Sequence, residues 1–189
     1  CWEAVAITDA ELVAQVLAGD VDAYRQIVER HQQAVAKLIY FKVSNPSDVE
    51  DLTQETFLRA FSYLHSYNPE KPLRTWLLSI AVNICRSWKR KQLVTVPLRN
   101  LFHLANDDTS SRAIANHHFW ELRRLLEGLP QKERDVLVLH YVHELTLGEI
   151  GGVLGIPLGT VKSRLNRGLK RMRKGVYVEG REKGGVQVL

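Results

Sequence analysis

Basic side chains cluster near one end of the chain, in a segment whose pattern predicts a helix. Between Leu158 and Lys174 the sequence has seven lysines and arginines and no acidic residue. Val161, Leu165 and Met172 recur at helical spacing, so the polar residues between them point away from a core. Such a face can hold the phosphates of a nucleic acid. The alternative is an ordinary solvent-exposed helix, although exposed helices usually mix charges of both signs.

A second predicted helix precedes this basic one. Thr146 and Glu149 have the spacing of a capping box, which marks a helix start. Gly155 can end that helix in a left-handed conformation, and Pro157 cannot continue it. The segment from Thr146 to Lys174 therefore predicts a helix-turn-helix whose second helix can enter a major groove.

Other chemistries find little support in the sequence. His140 and His143 are three residues apart, but no cysteine, histidine or carboxylate cluster completes a metal site, and the pair at 117–118 is similar. There is no glycine-rich phosphate loop and no evident nucleophile–base pair. We therefore predict no catalytic residue, no metal and no cofactor.

The net charge favours a polyanionic partner, and the two cysteines favour a reducing compartment. The net charge is +5 and the pI is about 9.3. Cys1 and Cys85 lie far apart in unlike contexts, which argues against a disulfide. No signal peptide and no membrane-spanning run is evident. These features predict a cytoplasmic protein without direct membrane insertion.

Hydrophobic periodicity predicts an all-α chain that positions these residues. Helices are expected over residues 9–17, from 20 or 22 to about 41, and over about 48–65, 73–91, 113–126 and 131–143. Ser47 is predicted to cap the third helix, with Glu50 in the capping-box position. No strand pattern is convincing.

A break in periodicity predicts two domains. Residues 92–112 lack a sustained pattern, and a stretch of this length is unusual inside a compact domain. The sequence thus predicts a four-helix domain over 9–91, a flexible linker over 92–112, a helix-turn-helix domain over 113–174 and a disordered tail over 175–189.

Four motifs resemble those of bacterial RNA polymerase sigma factors. The run from Glu50 to Phe61 (EDLTQETFLRAF) is similar to one signature of that family, and Thr75 to Asn83 (TWLLSIAVN) to the next. The segments 129–139 and 149–164 resemble two further signatures, including GTVKSR. Their order and spacing are those of the extracytoplasmic-function group, over roughly residues 9–174.

The resemblance implies a non-enzymatic protein that binds core RNA polymerase and directs it to promoter DNA. The N-terminal domain would correspond to sigma region 2, which handles the minus-ten element partly as melted strand. The C-terminal domain would correspond to region 4, which reads the minus-thirty-five element as duplex. The family also implies an anti-sigma factor, often membrane-anchored, as an inhibitory partner.

Site residues follow from this match. The duplex-facing residues would be Thr160, Lys162, Ser163, Arg164, Asn166, Arg167, Lys170 and Arg171. The minus-ten set would be Asn68, Lys71, Arg74, Asn83, Arg86, Trp88, Lys89 and Arg90. The polymerase-binding set would be Asp48, Glu50, Asp51, Gln54 and Glu55, although acidic residues there also complement a helix dipole.

Particular roles can be expected for a few of these side chains. Asn83 matches the family asparagine near the pocket for a flipped base, and Trp88 either stacks on a base or packs structurally. Trp76 is expected in the core. Arg167 can donate to guanine O6 and N7, and Asn166 can pair with adenine.

The sequence departs from the family at three helical positions, and two other functions stay open. Gly151, Gly152 and Gly168 stand where better helix formers are usual, which should weaken the C-terminal domain. The two adjacent glycines should cost about 1 kcal/mol each relative to alanine. A stand-alone helix-turn-helix regulator would share the basic helix but leave the acidic helix and the TWL segment unexplained. A helical interaction protein without a DNA role would show no salt-dependent DNA binding.

Overall fold

The computed structural model describes residues 7–43, 45, 47–95 and 117–182, with side chains over 7–43, 45, 47–92 and 121–173. The eight helices in this part are α1 (Asp9–Leu17), α2 (Val21–Lys42), α3 (Asp48–Ser62), α4 (Leu73–Thr95), α5 (His117–Glu127), α6 (Gln131–Leu137), α7 (Leu147–Leu154) and α8 (Leu158–Glu182). A 3-10 turn covers Leu64–Ser66, and a π-helical turn covers Val138–Val142. None of the described residues forms a strand, so the all-α prediction is confirmed.

The chain divides into two compact units, Cys1–Ile114 and Ala115–Leu189. In the first unit, α2 packs against α1, α3 and α4, and α3 also packs against α4. Its core is mainly aliphatic, with Tyr40, Phe41 and Phe57 also buried, and burial of this apolar surface is what holds the four helices together. The largest fully buried side chains there are Leu12, Ile27, Val35, Leu38, Ile39, Leu73, Leu77, Leu78 and Ile84.

A polar cluster fixes α1 on α2. Asp9 accepts a hydrogen bond from Arg30 at 2.6 Å and lies 2.9 Å from Nε2 of His31, which is buried. Burial lowers the pKa of His31 more than the neighbouring Asp9 carboxylate raises it. Burial therefore favours the neutral imidazole, and Nε2 lies within hydrogen-bond distance of the Asp9 carboxylate.

The start of α3 differs from the prediction. Ser47 has a right-handed helical backbone and makes no side-chain cap, so the predicted capping box with Glu50 is wrong. Instead, the Asn45 side chain accepts a hydrogen bond from the Ser47 N–H at 3.2 Å. A cap residue needs extended backbone to turn its side chain onto the N–H groups that follow, and Ser47 lacks it. The helix also ends earlier, at Ser62.

The second unit contains the predicted helix-turn-helix. The Thr146–Glu149 capping box is present, and Gly155 is left-handed at φ 66°, so both predictions are confirmed. Helix α8 packs against α6 and α7, and its Val161 is fully buried.

Other boundaries shift by a few residues. Helix α4 runs to Thr95, where the linker was predicted to begin at residue 92. Helix α8 runs to Glu182, where a tail was predicted from residue 175. Residues 96–116 and 183–189, which hold the rest of the predicted linker and tail, lie outside the described residues. Cys1 also lies outside them, and Cys85 is buried.

The three unusual glycines have different surroundings. A Cβ on Gly168 would lie 2.8 Å from Cδ1 of Leu137, closer than real Cβ contacts come. A Cβ on Gly151 would lie 3.0 Å from the carbonyl oxygen of Ile156, whereas one on Gly152 would meet open space. Gly168 thus permits the close approach of α6 and α8, and Gly152 costs helix stability without a packing benefit.

Candidate nucleic-acid interface

The exposed face of α8 carries most of the predicted duplex-reading side chains. Val161 anchors the helix, so the residues on the other side point to solvent. Ser163 donates a hydrogen bond to the carbonyl of Thr160 at 3.0 Å. The exposed members are Lys162, Ser163, Asn166, Arg167, Lys170 and Arg171, while Thr160 and Arg164 are half-buried. This arrangement offers short polar groups near the helix start and positive charge along its body.

Two of these arginines are also engaged within the domain. Nε of Arg171 lies 3.1 Å from Oε2 of Glu133, and Nε of Arg167 lies 3.6 Å from Oε1 of the same carboxylate. Glu133 is in α6, and its side chain is only 8% exposed, against 59% for Arg167 and 56% for Arg171. The carboxylate is therefore a buried group that attracts two exposed basic side chains.

The second half of α4 forms an open basic concave surface. It is lined by Asn83, Arg86, Ser87, Lys89 and Arg90. Arg86 donates to Oδ1 of Asn83 at 3.3 Å, and this contact orients the amide. The surface therefore combines an amide that can both donate and accept with charges that can hold phosphates.

The loop before α4 is closed by its own hydrogen bonds. Oδ1 of Asn68 accepts from the N–H of Glu70 at 2.9 Å, and the hydroxyl of Tyr67 donates to the carbonyl of Lys71. The Tyr67 ring packs against Trp76 with centroids 5.4 Å apart. Burial raises the pKa of Tyr67. The loop is thus a defined turn that presents exposed Asn68 and Lys71.

The remaining minus-ten candidates are less accessible. Arg74 and Trp88 are both half-buried, as is Trp76, for which a core position was expected. Trp76 therefore forms part of the support of the loop through Tyr67 rather than a fully buried core residue.

The outer face of α3 is acidic with an apolar extension. Glu50, Asp51 and Gln54 are exposed, whereas Asp48 and Glu55 are half-buried. Glu55 accepts a hydrogen bond from Arg59 at 2.6 Å. Leu58 follows Asp51 by seven residues and Gln54 by four, so the three share one face. Leu58 is 70% exposed.

Sequence reasoning missed two features of these surfaces. Leu58 and Phe61 are exposed, although both belong to the apolar residues of α3. The fifteen-residue helix has more apolar positions than its buried face needs, which is a signal that can be read from sequence. Glu133 carries no such signal, because its partners are more than 30 residues away in the chain.

No group of metal-binding side chains occurs among the described residues. His140 instead has its Nδ1 3.0 Å from the carbonyl oxygen of Leu145. In the described part of the chain, no helix has the length and apolar character needed to cross a membrane.

The fold and these surfaces define a two-unit, all-α protein with a helix-turn-helix. Comparison with known families agrees: residues 27–93 match sigma-70 region 2, and residues 125–174 match sigma-70 region 4. The ECF RNA polymerase sigma factor SigW of Bacillus subtilis is 33% identical over 178 residues, which cover 86% of this chain and 93% of that protein.

Solved structures share this fold. The structure of CnrH in complex with the cytosolic domain of CnrY has a TM-score of 0.69 at 25% identity, over 90% of this chain and 97% of that one. The sigma factor RpoE of Bartonella quintana, in complex with the anti-sigma factor NepR, shares the fold at a TM-score of 0.71 and 21% identity. The match covers 84% of this chain and 99% of that one. The chain belongs to the ECF family of RNA polymerase sigma factors.

Proposed function

We propose that this chain binds core RNA polymerase and directs it to promoters with two recognition elements, without catalysis of its own. The observation that carries the proposal is that one chain matches both region 2 and region 4. Its helix-turn-helix also presents the basic face of α8. A stand-alone regulator does not require the region 2 unit.

Helix α8 is the proposed reader of the minus-thirty-five duplex. Ser163 and Asn166 are exposed short polar residues in the first half of the helix, where a recognition helix meets base edges. Lys162 and Lys170 flank them and suit phosphates. Asn166 is proposed to read adenine and Arg167 guanine, each through two hydrogen bonds.

Helix α4 and the loop before it are the proposed site for the melted minus-ten strand. Asn83 offers an oriented amide to a flipped base, and Arg86, Lys89 and Arg90 around it can hold the strand by its phosphates. The closed turn at Asn68 and Lys71 supports the loop that would cover the base.

Helix α3 is the proposed polymerase-docking surface. Its exposed Asp51 and Gln54 offer acidic and polar contacts, and Leu58 adds an apolar contact that becomes buried on binding. An exposed large apolar side chain within a polar rim is typical of a protein interface.

An anti-sigma factor is the proposed inhibitor, acting in the cytoplasm. The RpoE relative is solved with such a partner. In the second unit, an apolar groove between α5, α6 and α8 offers a further surface that a protein partner can cover. It is lined by Leu122, Leu126, Leu137, Val138, Tyr141, Val142, Leu169 and Met172. We expect a stable complex with a small inhibitor, in which the polymerase-docking surface is occluded.

Binding experiments separate this function from the two alternatives. The purified chain should co-purify with core RNA polymerase and bind duplex DNA tightly and selectively only in that complex. Tight, sequence-selective binding without polymerase would instead favour a stand-alone regulator. Absence of both polymerase binding and salt-dependent DNA binding would favour a helical interaction protein.

A further inference from the structure

We infer that Glu133 is a positioning residue for base recognition. From α6, which packs against α8, it orients Arg167 and Arg171. The inference rests on the proposed duplex-reading function of α8. It assigns a role in DNA specificity to a carboxylate that lies in a different helix, α6, and that no motif singles out.

The geometry of the contacts supports orientation rather than sequestration. Both arginines approach Glu133 through Nε, at 3.6 Å for Arg167 and 3.1 Å for Arg171. These are charge contacts rather than hydrogen bonds, because 3.6 Å is too long for one and Oε2 accepts no hydrogen bond among the described residues. The Nη groups, which make the two-pronged contact with guanine, are therefore left for another acceptor. Both side chains remain more than half exposed, which fits groups that are held but not buried.

The rigidity of Glu133 is the second part of the argument. Its side chain is 8% exposed, and Oε2 accepts no hydrogen bond from any residue that the structure describes. A buried carboxylate without such a bond depends on nearby positive charge, so the attraction to both arginines is strong. The close packing of α6 and α8 at Gly168 brings the carboxylate into reach, since a Cβ there would lie only 3.6 Å from Cβ of Glu133.

Arg167 is the arginine through which base specificity should act. It lies four residues after Ser163 and four before Arg171, on one stripe of α8. An unrestrained arginine loses rotamer freedom when it binds, and prior orientation avoids part of that loss. Removing the orientation should lower discrimination at the base pair that Arg167 reads by about three- to tenfold.

The experiment uses Glu133→Gln in the full chain, assembled with core RNA polymerase. Base preference is measured by selection from a pool of random-sequence duplexes and sequencing of the bound fraction. The matched control is Glu127→Gln, which removes the same charge from a carboxylate that is 58% exposed and pairs with Arg123 at 3.5 Å. Arg167→Ala identifies the base pair that Arg167 reads.

We expect Glu133→Gln to weaken the preference at the base pair that Arg167 reads, and Glu127→Gln to leave that preference unchanged. In a chain that already carries Arg167→Ala, Glu133→Gln should have no further effect on the preference at this base pair. An unchanged preference profile would overturn the inference. Stronger binding to all duplexes with an unchanged profile would also overturn it, because Glu133 would then only reduce the positive charge that α8 offers to phosphates. If Glu133→Gln does not fold, Glu133→Asp keeps the charge but retracts it, and the same outcomes apply. A wild-type chain that selects no sequence refutes the proposed function instead.

Discussion

Replacement of Gly168 by alanine should destabilise the second unit, although alanine is the better helix former. Alanine gains about 1 kcal/mol of helix propensity over glycine. The new Cβ would lie 2.8 Å from Cδ1 and 3.3 Å from Cγ of Leu137, inside a packed contact between α6 and α8. Overpacking of this kind costs typically 1–3 kcal/mol. The net change is a loss of about 1 kcal/mol, equivalent to about 4–8 °C in Tm for a unit of this size.

The same substitution elsewhere in the unit provides the control. Gly152→Ala should raise stability by about 0.5–1 kcal/mol, because its Cβ meets nothing within 4 Å. Gly151→Ala should gain less, since its Cβ would lie 3.0 Å from a backbone oxygen. Hydrogen exchange of α6 and α8 amides in the full chain measures each change in the unit that carries it.

The order of the three variants is what tests the packing argument. Gly152→Ala should be the most stable, Gly151→Ala intermediate and Gly168→Ala the least stable. If Gly168→Ala is as stabilising as Gly152→Ala, the close approach of α6 and α8 is not needed, and the sequence-based interpretation of Gly168 as a simple weakness is correct.

Three further outcomes follow from the first unit. Because burial lowers the pKa of His31, its neutral form stabilises the fold fully above the unfolded pKa of about 6.5, and that contribution is lost as the pH falls through the folded pKa. His31→Asn should therefore flatten the loss of thermal stability as the pH falls below about 6.5. Leu58→Asp should weaken binding to core RNA polymerase by about tenfold, measured by titration, because a charge replaces the apolar contact. Asn83→Ala should lower the formation of melted promoter complexes by about tenfold, measured by reactivity of unpaired thymines, because it removes an oriented amide.

Each of these predictions has a control variant. His65→Asn changes an exposed histidine and should leave the pH dependence as in the wild type. Leu17→Asp changes a leucine that is 57% exposed on α1, and equal weakening by it would remove the case for α3 as the docking surface. Ser87→Ala alters the same concave surface as Asn83, and an equal effect would mean that surface shape, not the amide, matters.

Local signals in the sequence predicted most helices well. Asp9–Leu17 has the predicted bounds, and the Thr146–Glu149 box and left-handed Gly155 lie where expected, because caps and turns depend on residues three or four apart. Ser47 had the same pattern, but its backbone conformation is helical, and a pattern cannot show which residue of a turn becomes extended.

Features that depend on contact between distant helices were not predictable. The cost of Gly168 was inferred from helix propensity alone, whereas the structure shows that Leu137 occupies the space of a side chain. The pairing of Glu133 with Arg167 depends on the same contact.

Transcription initiation with purified components tests the central claim most directly. Core RNA polymerase with and without this chain is given genomic fragments, and the 5′ ends of the transcripts are sequenced. The family membership and the two proposed DNA surfaces predict transcripts that appear only with the chain and share two upstream sequence elements at constant spacing. Transcripts that are identical with and without the chain, although the chain binds the polymerase, would contradict it.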